Sequence, residues 1–137
     1  MADVTQTNPP GMAPPGGHYS HAVTANGFVF VSGELPIAPD GTRLNEAPFE
    51  QQAQQTLDNV ALALKGAGSS IDKLTQVRVY VTDIANWREA GEVHSEFFES
   101  IRPATTMVQV AKLIDEAALV EIEADAVIHH EGGERIA

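Results

Sequence analysis

From Val120 to Ala126 every second residue is apolar and every residue between is acidic. That period of two is the geometry of a half-buried strand. It sends Val120, Ile122, Ala124 and Ala126 to one face and Glu121, Glu123 and Asp125 to the other. Three acids repeated on one strand face must find water, a cation or a polar site. Glu123 and Asp125 fit a solvated outer face, or pairing with Arg78 or Lys112 on neighbouring segments. Glu121 has the stronger chemical case, because a carboxylate at a cleft edge can orient or deprotonate water.

The rest of the chain mixes this period with a helical one. His18–Thr24 and Gly27–Ser32 read as strands, and Ala38-Pro-Asp-Gly41 as a tight turn. Between Pro48 and Ala67, Ala53, Leu57, Val60, Ala61 and Leu64 fall on one helical face. Gly66 and Gly68 supply the stop. Leu74–Thr82 is a strand with Val77, Val79 and Val81 on one side and Gln76, Arg78 and Tyr80 on the other. Asn86 followed by Glu89 is a cap for a second helix carrying Trp87, Ala90, His94, Phe97 and Phe98, which Pro103 breaks. Thr105–Val110 and Leu119–Ile128 complete the strands.

The expected fold is therefore α+β: a β-β-α-β-α-β-β mixed sheet with both helices on one face. The sheet's other face then needs a partner, and association of identical subunits is the simplest. One domain is expected over residues 18–130. Residues 1–17, rich in Pro and Gly, and residues 131–137 read as flexible tails.

Composition narrows the chemistry. The 137 residues contain no cysteine, which excludes disulfides, thiolate metal sites and a cysteine nucleophile. The formal net charge is −11, and the eight Lys and Arg residues are scattered, so nucleic acid is not an expected partner. The start has neither the basic nor the apolar segment of a secretory signal, and no apolar run suits a bilayer. A cytoplasmic protein without membrane contact is expected. Nucleophile elbows, phosphate loops, dinucleotide fingerprints and zinc-protease motifs are lacking. His129-His130 is adjacent rather than spaced for a metal, and His18 and His21 fall on opposite faces of an extended segment. No metal and no cofactor is expected.

Several segments, taken in order, resemble the Rid (reactive intermediate deaminase, or YjgF) family. They are Gly17-His-Tyr-Ser-His-Ala22, Phe30-Val-Ser-Gly-Glu-Leu-Pro36, Gln54–Val60, Ala67–Ser70 and Val79–Asp83. Glu96-Phe-Phe98, Arg102-Pro-Ala104 and Val120–Ala124 continue the series. The resemblance implies a chorismate-mutase-like fold, a trimeric, barrel-like assembly and a cleft at each subunit interface. It also implies hydrolysis of 2-imino or 2-enamino acids to a 2-keto acid and ammonia. Tyr19, Ser32, Gly33 and Glu121 match positions lining that cleft.

The departures are as informative. Where archetypal members have the arginine that grips the substrate carboxylate, this chain has Thr105. Met107 replaces a small or thiol residue, Glu34 a glutamine, His18 a proline, and the usual helix asparagine falls near Gly91. The loop Ile114–Ala118 is one residue longer. Losing a charge-assisted bidentate contact should cost about 1.5–3 kcal/mol, roughly 10- to 150-fold in substrate stabilisation. Glu34 near the cleft would repel an anion further, and Arg102 is structural in the motif.

Two functions fit. The first is hydrolysis of an imine, enamine or related C=N compound other than the archetypal 2-imino acids. Glu121 and Tyr19 are its catalytic candidates. Ser32, Gly33, Glu34, Trp87, Thr105, Thr106 and Met107 are the substrate-binding candidates, and His18, His21 and His94 those for proton transfer. The alternative is a non-catalytic homotrimer that binds or senses a small ligand in the same inter-subunit cleft. Ribonuclease activity, also attached to the family, suits the acidic charge least.

Overall fold

The computed structural model describes residues 3–128. The alternating acidic run is a strand, β6 (Val120–Val127), with its four apolar residues up to Ala126 buried and Glu121, Glu123 and Asp125 half-buried on the other side. It lies inside the sheet, between β3 (Phe28–Glu34) and β4 (Leu74–Val81), and is antiparallel to both. In β4, Val77, Val79 and Val81 are buried while Gln76, Arg78 and Tyr80 share the face of the acids. β5 (Ala104–Gln109) runs parallel to β4 at one edge. A parallel neighbour needs a crossover, and α2 (Trp87–Phe98) supplies it.

The sheet has six strands, not five. β2 (Ala22–Ala25) pairs with β3 through the two-residue turn Asn26-Gly27, both residues at positive φ, a hairpin geometry matched to strand twist. Outside β2 lies β1 (Val4–Thr7), giving the order β1-β2-β3-β6-β4-β5. The first 17 residues were expected as a tail, and that expectation is corrected. Strand β1 pairs along its whole length, and Met12 is buried in the core. The anchor is polar: Asn8 Oδ1 accepts the His21 N–H at 2.9 Å. With the His21 N–H spent on Asn8, the strand expected from His18 begins only at Ala22. Residues 129–137, with His129-His130 and the expected C-terminal tail, lie outside the described residues.

Helix α1 (Phe49–Gly66) buries Ala53, Leu57, Val60 and Leu64 against the sheet. It ends as expected. Ser69 N–H reaches Leu64 O at 2.9 Å and Gly68 N–H reaches Lys65 O at 3.1 Å, with Gly68 at φ 84°. In α2 the buried side chains are Ala90, Val93 and Phe98, while Trp87 is 54% exposed beneath Arg88. The expected Asn86 cap makes no side-chain bond; Asp83 caps the preceding 3-10 turn by accepting from Ala85 N–H at 2.9 Å.

One core joins both helices to the inward residues of β3, β4 and β6. Both helices therefore cover the same face. The other face is open, and carries Phe28 and Phe30, 46% and 47% exposed, with Val108. Among the described residues no helix is long and apolar enough to cross a membrane.

Candidate functional site

The register of β3 breaks between Val31 and Glu34. Val31 pairs with Ala124, but Glu34, not Gly33, pairs with Ile122. This bulge has two consequences. It turns Glu34 inward, where it is 5% exposed, and it brings the Gly33 backbone against Glu121. A Cβ at position 33 would lie 2.1 Å from Glu121 Oε1, so only glycine lets the carboxylate rest there. Burial raises the Glu121 carboxyl above its ordinary value, and the charge of Glu123 adds to the rise. A carboxylate tuned upward is a better base near neutral pH.

Glu34 does not face incoming anions as a free charge. His21 Nδ1 lies 2.9 Å from Glu34 Oε2, and His21 Nε2 lies 2.6 Å from Ala13 O. A carbonyl only accepts, so Nε2 carries a hydrogen. The Nδ1–Glu34 contact then holds one further proton between its partners: His21 charged and Glu34 ionised, or both neutral. Either way the pair adds no net charge. Burial pushes Glu34 upward most strongly; the His21 contact opposes this, and Glu121 adds to it.

Beside this pair is a cavity of about 430 Å³, within the range of small-molecule sites. Tyr19, His21, Gly33 and Glu34 line it, and Met12–Gly16 form one wall. Tyr19 is 54% exposed and its hydroxyl accepts from Gly16 N–H at 3.2 Å, which leaves its own proton free to donate. Ser32 instead spends its proton on Ser20 O, at 2.5 Å. Glu121 is not part of the cavity wall; its carboxylate lies against Gly33, which is. His18 is exposed.

The remaining candidates lie elsewhere. Thr105, Thr106 and Met107 are on β5, three strand spacings from β3, or about 14 Å. Thr105 Oγ1 donates to Pro103 O at 2.9 Å and sits 3.3 Å from His94 Nε2. Burial lowers the His94 value, favouring the neutral ring. Met107 packs against the core, whereas Thr106 is exposed on the open face, beside Arg78. Arg102 is exposed at φ 52°, next to His94 in a separate depression. One chain thus brings together Tyr19, His21, Ser32, Gly33, Glu34 and Glu121, and holds Thr105, Met107 and His94 apart from them.

Arg78 settles the other two acids, pairing with Asp125 at 2.7 Å and Glu123 at 3.7 Å; Tyr80 also hydrogen-bonds Glu123. Lys112 pairs with Glu116 instead, at 3.7 Å.

Some residues of the site were not among the candidates read from the sequence. Asn59 lies on the core face of α1, yet its Nδ2 donates to Leu35 O and Ile37 O at 3.0 and 2.8 Å, tying down the loop after β3. Arg43 on that loop and the buried Asp115 complete the cavity wall, 3.2 Å apart. Asn59 falls within the family-like segment Gln54–Val60, but its site role showed in the sequence only as a polar residue interrupting an amphipathic face.

Comparison with known proteins agrees with this architecture. The family described as Endoribonuclease L-PSP matches residues 11–128. A RutC family protein of Aquifex aeolicus is 39% identical over 115 residues, 82% of this chain and 90% of that protein. Reactive Intermediate Deaminase A, chloroplastic, of Arabidopsis thaliana is 31% identical over 112 residues, covering 82% of this chain and 59% of that one. A crystal structure from Yersinia pestis, of the conserved Rid protein family, superposes with a TM-score of 0.87 at 32% identity, covering 92% of this chain and all of that one. With the match extending from the cavity wall through β6, the chain belongs to the Rid (YjgF, endoribonuclease L-PSP) family.

Proposed function

We propose that this protein hydrolyses a small imine, enamine or related C=N compound other than the archetypal 2-imino acids, and that it does so as a homotrimer. The observation that carries the reading is the Glu121 carboxylate resting on Gly33, a residue that lines the same cavity as Tyr19. Water held by Glu121 adds to the C=N carbon and gives its proton to the carboxylate. The nitrogen gains a proton, for which the Tyr19 hydroxyl, lining the cavity with its own proton unspent, is the proposed donor. Glu121 then returns its proton to the carbinolamine nitrogen, and the hydroxyl gives its proton back to the Tyr19 oxygen. The C–N bond breaks as the carbonyl forms, and ammonia or an amine leaves with both side chains restored. The Arabidopsis relative's name, Reactive Intermediate Deaminase, supports this chemistry. Thr105 supports the substrate restriction, since its hydroxyl is uncharged and already bonded to Pro103 O.

The test is ammonia release from a panel of C=N compounds. Glu121→Gln should abolish turnover and leave the circular dichroism spectrum unchanged. Glu123→Gln should have a much smaller effect, because Glu123 is engaged by Tyr80 and Arg78. Full activity in Glu121→Gln would show that another group activates the water.

A further inference from the structure

Thr105 removes the cation from one wall of the site, but the cavity has a cation on another. Arg43 follows the turn Ala38–Gly41, where Gly41 N–H donates to Ala38 O at 2.8 Å, and Ile37 bridges to Arg43 across it. Asn59 holds Leu35 O and Ile37 O from below, so the loop's approach is fixed by α1. The Arg43 side chain is 60% exposed. Among the described residues its sole polar contact is Nη1 to Asp115 Oδ2, at 3.2 Å. Asp115 is 8% exposed and is supported by Asn45 Nδ2 and Ala117 N–H on its other oxygen, at 3.4 and 3.3 Å. A buried carboxylate thus pairs with one nitrogen of the guanidinium by charge, without a hydrogen bond at Oδ2, on a side chain that lines the cavity.

We infer that Arg43 receives an anionic group of the ligand, so the substrate is a C=N compound whose carboxylate is separated from the reacting carbon by several bonds. Gly33 and Arg43 line the same cavity, so a molecule filling it meets Arg43 and the backbone against which Glu121 rests. A 2-imino acid has its carboxylate on the carbon next to the reaction and needs a cation beside Glu121. Arg78 shares the sheet face of Glu121 but does not serve, since Asp125 and Glu123 already occupy its guanidinium. While the His21–Glu34 pair holds its shared proton it adds no net charge, and Arg43 balances Asp115. The negative charge an anion must avoid is therefore Glu121 against Gly33, which favours placing the ligand's carboxylate at Arg43 instead. The reacting end of this substrate rests on the hydrolase reading above; the anion contact does not.

Calorimetry with glutarate, a five-carbon dicarboxylate, separates the two. Glutarate should bind wild type more tightly than uncharged glutaramide does. Arg43→Gln should weaken glutarate about 10- to 150-fold, the range for a charge-assisted hydrogen bond, and leave glutaramide unchanged. Because Arg43→Gln strands the buried Asp115 carboxylate, the double variant R43Q/D115N removes both charges and should show the same loss with the fold preserved. Equal affinity for glutarate in wild type and the double variant, or no glutarate binding to wild type, overturns the assignment. Glutarate binding that needs Arg43, without ammonia release from any C=N compound, would overturn the hydrolase reading and leave Arg43 in place.

Discussion

Glu34 looks in the sequence like an acid added to the rim of an anion site, and its surroundings change what it does. At the end of the bulge between Val31 and Glu34 it points into the core, against His21, with Ala13 O closing the other side of the ring. No periodicity argument anticipates this, because a bulge shifts every later residue of the strand to the opposite face. Its titration has a definite sign. A carboxyl raised on folding contributes stability that is complete below its unfolded value and lost as pH rises through the folded value. Above that range the shared proton is gone and His21 faces a bare buried carboxylate. Glu34→Gln keeps a donor for Nδ1 at every pH and carries no charge. Urea denaturation should show the variant's stability relative to wild type improving as pH rises through the folded value. A constant difference across that range would mean that Glu34 does not titrate within the folded pair. Gly33, by contrast, was legible as a site position only through family resemblance; its reason, the approach of Glu121, needed coordinates.

The elements that alternate or repeat strongly were readable: β4, β6 and α1 lie where their apolar periods place them. Burial of one face decides such segments, and hydropathy reports burial. The N-terminal segment was not readable for the opposite reason. β1 is an edge strand of four exposed or half-buried residues, Val4–Thr7, held by backbone pairing rather than by a core face. The chain beyond it is fastened by side-chain and carbonyl contacts, Asn8 to His21 N–H and Ala13 O to His21 Nε2. This segment forms a wall of the cavity, so its anchoring bears on function. Asn8→Ala would leave the His21 N–H without its partner in a part-buried position, at a cost of about 1–3 kcal/mol. Chemical denaturation should register that loss, and proteolysis within residues 9–16 should accelerate. A change below about 0.5 kcal/mol, the lower bound for one net hydrogen bond, would mean that the segment is held without Asn8.

At the scale of the whole molecule, the two halves of the candidate site are on the wrong strands to meet. Thr105 and Met107 lie about 14 Å from β3 across β6 and β4, a separation that one rigid sheet cannot close. A second copy can bring its β5 edge to the first copy's Gly33 and Glu121, and the open face gives it reason to. Phe28 and Phe30, with ring centroids 6.3 Å apart, and Val108 are apolar groups in water around a self-satisfied polar cluster of Arg78, Glu123, Asp125 and Tyr80. Burying such a face among three subunits accounts for both observations at once. Phe30→Lys tests it without attacking the fold, because Phe30 stands opposite Asp125 in the β3–β6 register and a lysine there gains an acidic neighbour. Sedimentation should show wild type as a trimer at micromolar concentration and Phe30→Lys as a monomer with unchanged secondary structure. If the site is shared between subunits, hydrolysis must disappear with the trimer. A monomeric Phe30→Lys that keeps full turnover would mean that Tyr19, Gly33 and Glu121 suffice within one chain, and that Thr105 has no part in the reaction.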